Sequence, residues 1–160
     1  MAKLRHIAIT VPDPHKAAAF YMRVFGMKKV GETDWVNARG VYLSDGTINL
    51  ALLNYKTEQA AGEWRGRDYV GIHHFGFWVD DVAATRKAME AAGGRYWMGE
   101  PVEGGGFYEV KYRDPDGVVV DITANGWVGA AKDAPAPGRK RVLRRAGNKK
   151  NPRRASLTRD

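Results

Sequence analysis

Cysteine is absent from the 160-residue chain, which excludes disulfides, thiolate metal sites and thiol catalysis. Long apolar runs are missing too, and none approaches the roughly 20 residues that a membrane span needs. No signal-peptide pattern precedes the strand-like segment that begins near Leu4. These absences predict a cytoplasmic protein without membrane contact. Gly104-Gly105-Gly106 lacks the following helix and the Lys-Ser/Thr pair of a phosphate loop, so it reads as a flap over a pocket. Acidic side chains are scarce at one end only. Residues 138–160 hold ten Lys or Arg and one acid, while the whole chain has 26 Lys or Arg, 18 acids and a net charge of +8. The excess therefore sits in the tail, and residues 1–137 are close to neutral.

What the chain does have is a core, with 44% apolar residues, and a repeat. With His74 placed over His6, Phe75-Gly76-Phe77-Trp78-Val79 lies over Ile7-Ala8-Ile9-Thr10-Val11. In the same register Asp81 falls on Asp13, Gly94 on Gly26 and Glu100 on Glu32. Each copy reads as strand, acidic turn, helix, glycine, strand. In the first, residues 5–11 form a strand, Asp13 caps a helix with Pro14 in its first turn, and Gly26 ends it. Phe20, Tyr21, Val24 and Phe25 supply its apolar face. Strands follow near residues 28–32, 41–44 and 47–53, the last two joined at Asp45-Gly46. In the second, strands are expected at residues 72–79, 95–98, 107–113 and 118–123, with a helix after Asp80-Asp81 and a turn at Asp114-Pro115-Asp116-Gly117. The expected fold is α+β: two β-α-β-β-β modules, residues 3–55 and 70–127, whose curved mixed sheets surround a concave site. The domain spans residues 1–129. Residues 130–160 form a basic tail, expected to be disordered and able to meet nucleic acid through electrostatics alone.

Strand alternation assigns faces. Ile7, Ile9 and Val11 face the first helix, which leaves His6, Ala8 and Thr10 on the other side. Phe75, Phe77 and Val79 do the same for the second helix, opposing His74, Gly76 and Trp78. Val118, Val120 and Ile122 pack inward and leave Asp121 on the site face, as Ile48, Leu50 and Leu52 leave Asn49. Two imidazoles and one acid thus share the concave side. Burying a carboxylate alone is costly, and one divalent metal ion held by His6, His74 and Asp121 would compensate it. Thr10 and Trp78, each four residues beyond one of those histidines, are expected to line the pocket. Tyr42, Trp97, Tyr108 and Trp127 are further candidates for substrate contact, and Glu109 for acid/base chemistry. His73 should point to the opposite face, and His15 outward.

Arg5-His6-Ile7-Ala8-Ile9, Ala19-Phe20-Tyr21 and Phe25-Gly26-Met27 resemble the first module of the vicinal oxygen chelate (glyoxalase/bleomycin-resistance/extradiol dioxygenase) superfamily. His73-His74-Phe75-Gly76-Phe77-Trp78-Val79-Asp80-Asp81 resembles the opening of its second module, and Asp114-Pro115-Asp116-Gly117-Val118-Val119-Val120-Asp121 its closing turn and ligand strand. The resemblance implies that His6 and His74 are the histidine ligands, with Asp121 where glutamate is usual. Asn49 falls at the fourth ligand position, as a weak donor. It further implies one divalent ion (Fe, Mn, Ni, Co or Zn) and a homodimer. The implied activity is metal-dependent chemistry on a small substrate that chelates through adjacent oxygens, as a lyase or isomerase or as a ring-cleaving dioxygenase. The alternative is a metal-free drug-binding protein of the bleomycin-resistance type.

Overall fold

The computed structural model describes residues 1–62, 65–102 and 106–133. The first repeat comprises β1 (Lys3–Thr10), α1 (Pro14–Phe25), β2 (Lys28–Asp34), β3 (Ala38–Ser44) and β4 (Asn49–Tyr55). A short helix α2 (Glu58–Ala61) begins the connection. The second repeat comprises β5 (Gly71–Trp78), α3 (Val82–Ala91), β6 (Arg95–Met98), β7 (Val110–Arg113) and β8 (Val119–Thr123). The basic segment from residue 134 onward and Gly104-Gly105 lie outside the described residues.

Local chemistry sets the element ends. Asp13 accepts from the amides of His15 and Lys16 and so caps α1, while Asp81 accepts from Ala84 and caps α3. Gly26 stops α1 in the left-handed region at φ 69°. Asp45 folds the β3–β4 hairpin by accepting from Thr47 and Ile48. Asp114 shapes the β7–β8 turn through Asp116 and Val118. One expectation about α1 fails. Its buried face is Pro14, Ala17, Ala18 and Tyr21, whereas Phe20, Val24 and Phe25 are exposed. Small alanines let the helix lie close on β3 and β4, which rotates the larger rings outward.

All eight strands join one sheet in the order β2-β3-β4-β1-β5-β8-β7-β6. The two modules are fused at the antiparallel β1–β5 pair, and each first strand runs parallel to the last strand of its own module. The order is therefore palindromic, as the sequence repeat requires. Two apolar cores lie between helix and sheet. One is built on Leu43, Leu50 and Leu52 beneath α1, the other on Val82, Val110, Tyr112 and Ile122 around α3. The opposite face carries His6, His74, Asn49 and Asp121, all buried.

Each central strand carries one extra residue at the seam. Leu4 and His6 face Phe77 and Gly76, so Arg5 is the bulge on β1; Ala8 and Ile9 face His74 and Ile72, so His73 is the bulge on β5. These positions correspond in the repeat, each just before a site histidine. Bulges re-aim side chains, and here they change the face assignment of His73. It does not point away from the site. It is buried beside His74 and contacts Tyr55.

Candidate metal centre

The site is assembled from four strands that the palindromic sheet brings side by side. β1 supplies His6, β4 Asn49, β5 His74 and β8 Asp121. One nitrogen or oxygen from each of His6, His74 and Asp121 lies within 4.8 Å of the others. His6 Nε2 and His74 Nε2 are 3.2 Å apart, and Asp121 Oδ2 is 3.4 Å from His74 Nε2.

The hydrogen-bond partners determine which nitrogens carry protons. Asn49 Nδ2 donates to the carbonyl of Val128 at 2.8 Å, so its Oδ1 is an acceptor. That oxygen lies 2.8 Å from His6 Nδ1, which must therefore bear hydrogen. On the other side His73 Nε2 meets the carbonyl of Ala61 at 2.7 Å and must donate. A neutral His73 then offers a lone pair at Nδ1, 2.8 Å from His74 Nδ1, which in turn must donate. Both chains end the same way, with an Nε2 lone pair directed into the site. Two lone pairs and a carboxylate converge on one point. Asp121 Oδ1, fully buried, has no hydrogen-bond partner among the described residues. A divalent cation would satisfy each of these groups, and two imidazoles with one carboxylate suit the common transition metals.

Electrostatics agree with neutral rings. Burial lowers His6 from 6.5 to about 4 and His74 well below its ordinary value. Burial pushes the Asp121 carboxyl up to about 7, against the pull of Lys111. Lys111, on β7 directly across from Asp121, donates to Asp121 Oδ2 and lies 3.1 Å from Glu109 Oε2. Burial works against its charge, but Asp121 and Glu109 outweigh it and hold the ammonium above its ordinary value. For Glu109, burial raises the carboxyl, but Lys111 and the Trp127 N–H outweigh it and keep the carboxylate below its ordinary value.

Two cavities flank the centre. One, of about 360 Å³, is lined by His6, Tyr42, Glu109, Trp127 and neighbours. The other, of about 320 Å³, is lined by His74, His73, Tyr55, Trp97, Lys111 and neighbours. Trp127 stacks on the His6 ring at 4.9 Å and 8°, and its Nε1 donates to Glu109. That stack depends on Gly76, where a Cβ would lie 2.6 Å from the indole.

Tyr42, Trp97, Trp127 and Glu109 thus sit at the cavities, and the structure gives four other expected site residues, Asn49, Trp78, Thr10 and Tyr108, different surroundings from those expected. Asn49 turns its oxygen to the far nitrogen of His6, so it orients that ring instead of offering a fourth ligand. Trp78 bonds through Nε1 to the Ala124 carbonyl and covers Gly126, and Thr10 bonds to the Gly71 carbonyl; neither lines the two cavities, because β1 and β5 diverge from the site beyond their histidines. Tyr108 packs on the core around α3, since regular strand pairing in β7 begins only at Val110. Two further residues reach the site: Lys111, absent from the expected set, and His73, expected on the opposite face. The alternation Glu109, Lys111, Arg113 against Val110 and Tyr112 held the signal for the lysine. No pattern in the residues marks the bulge.

A family model described as the Glyoxalase/Bleomycin resistance protein/Dioxygenase superfamily matches residues 3–122. The chain belongs to this superfamily. It is 28% identical to a probable lactoylglutathione lyase of Vibrio parahaemolyticus, over 77% of this chain and 91% of that one. It is 31% identical to an ethylmalonyl-CoA/methylmalonyl-CoA epimerase of Cereibacter sphaeroides, over 76% and 97%. A Streptomyces coelicolor methylmalonyl-CoA epimerase variant, solved with 2-nitronate-propionyl-CoA, is similar at 25% identity and TM-score 0.63, over 75% and 94%. The fold is therefore that of the glyoxalase-like enzymes, and the relatives are lyases and epimerases of one superfamily.

Proposed function

We propose that this chain is a metal-dependent enzyme that moves a proton at the carbon next to a carbonyl, on a substrate carried by a thiol. The observation that carries the reading is the convergence of the His6 and His74 lone pairs, each ring fixed by a partner on its far side, with the Asp121 carboxylate. A divalent ion held there supplies a Lewis acid for the substrate's carbonyl oxygen. Glu109 is the base. Its carboxylate lines the His6 cavity, is ionised at neutral pH, and is aimed by Trp127 and Lys111. Asn49 and His73 hold the two imidazoles in the tautomer that leaves Nε2 free. Trp127 and Tyr42 wall the acyl end from water.

The lyase and epimerase relatives carry thiol-linked substrates in their names, and the surface beyond the site suits such a carrier. The His74 cavity shares Gln59, Trp97 and Met98 with a second hollow, which shares Arg113 with a third lined by Arg65, Arg95 and Arg113. An anionic carrier would lie along that path, with Asp116 offsetting part of the charge. The test is α-proton exchange in deuterated water, read by mass spectrometry, on a branched malonyl-type CoA thioester and on a glutathione hemithioacetal. The metal-loaded protein should exchange one of them, and Glu109→Gln should lower kcat by about 100-fold or more. Exchange of neither substrate by the loaded wild type overturns the proposal.

A further inference from the structure

The metal reading leaves the contact between Lys111 and Asp121 unexplained. Lys111 reaches into the centre from β7, its side chain only 18% exposed, and donates to the carboxylate of the fully buried Asp121. The oxygen it holds, Oδ2, is also the one 3.4 Å from His74 Nε2. A second acceptor, Glu109 Oε2, lies 3.1 Å from the same ammonium.

We propose that Lys111 is the site's own counter-cation, holding Asp121 when no divalent ion is bound and yielding it to the ion by moving onto Glu109. This rests on the reading of His6, His74 and Asp121 as ligands. Three features support it. A carboxylate buried on every side needs a positive partner whether or not metal is present, and Lys111 is the cation bonded to it. An ammonium and a divalent ion repel each other strongly at this range, so both cannot sit on the Oδ2 face that looks toward His74. The shift asks little of the protein, because a lysine stem is flexible and Glu109 is already in contact. The lysine would therefore keep the metal-free chain folded and set the metal affinity by competition.

The experiment is a titration of chelator-stripped full-length protein with Zn(II) against a chromophoric competitor, alongside thermal melts with and without Zn(II). Lys111→Met should bind zinc roughly tenfold or more tightly than wild type. Its metal-free form should melt lower than wild type and gain more on adding zinc. Glu109→Gln, which removes the lysine's second seat, should bind more weakly than wild type. Wild type that binds zinc with Lys111→Met equal to it or weaker overturns the inference and leaves the metal reading standing. If Lys111→Met does not fold, an unchanged affinity in Glu109→Gln overturns it. Failure of wild type, Lys111→Met and Glu109→Gln alike to bind removes the metal reading, and this inference with it.

Discussion

Proton placement on three rings decides what the centre can bind. His73 donates to Ala61 and accepts from His74, so it fixes the tautomer of a ring it does not replace. His73→Phe keeps the shape and removes the acceptor. Metal affinity should fall about 10- to 100-fold in a competitive titration, and an unchanged affinity would contradict the tautomer assignment. His6 carries a pH signature as well. Burial lowers it from 6.5 to about 4, so the folded chain binds that proton less readily than the unfolded chain. The stability it contributes is complete above about 6.5 and is lost as pH falls toward 4. Asp121, raised to about 7, works in the opposite sense, its contribution being lost as pH rises through 7. The His6 part is isolated by comparison. Between pH 7 and pH 5, metal-free wild type should lose about 2 kcal/mol more unfolding free energy than His6→Gln, measured in urea. Equal losses would mean that the ring is not held neutral by burial.

At the level of elements, the seam between β1 and β5 does the positioning. Two bulges, at Arg5 and His73, turn the following histidines toward each other. Arg5 bonds to the carbonyls of Ala131 and Lys132, as His73 bonds to Ala61, so each bulge also ties down the segment that follows its neighbour's module. Gly76 on β5 leaves the space into which Trp127 inserts. Gly76→Ala should dislodge that ring from His6, with a red shift of tryptophan emission and a stability loss of about 1–3 kcal/mol; an unshifted spectrum would contradict the packing. The elements themselves were legible in the sequence because caps, glycines and alternation report local backbone chemistry. Asp13, Gly26, Asp45 and Asp114 all act as their residue types suggest. The helix face of α1 was misread because its large rings outweighed its alanines. His73 was misread because a bulge shifts the alternation by one residue, and the pairing that creates it involves a strand 68 positions away. Lys111 was overlooked because its meaning depends on Asp121 across the hairpin.

Over the whole molecule, the repeat explains why the three proposed ligands can meet at one point. Neither module carries a full ligand set; each brings a histidine on its first strand, and only the second brings a carboxylate on its last. Fusing them at β1–β5 places these strands in the middle of one sheet, with a core under each helix and the proposed ligands on the opposite face. The departures from symmetry, Ala51 against Asp121 and Tyr42 on the His6 side against Lys111 on the His74 side, separate the two cavities chemically. The most direct measurement is a crystal of the full chain soaked in Mn(II), examined by anomalous scattering. A single strong peak within bonding distance of His6 Nε2, His74 Nε2 and an Asp121 oxygen is the predicted result. Ordered rings with no peak between them would contradict the account.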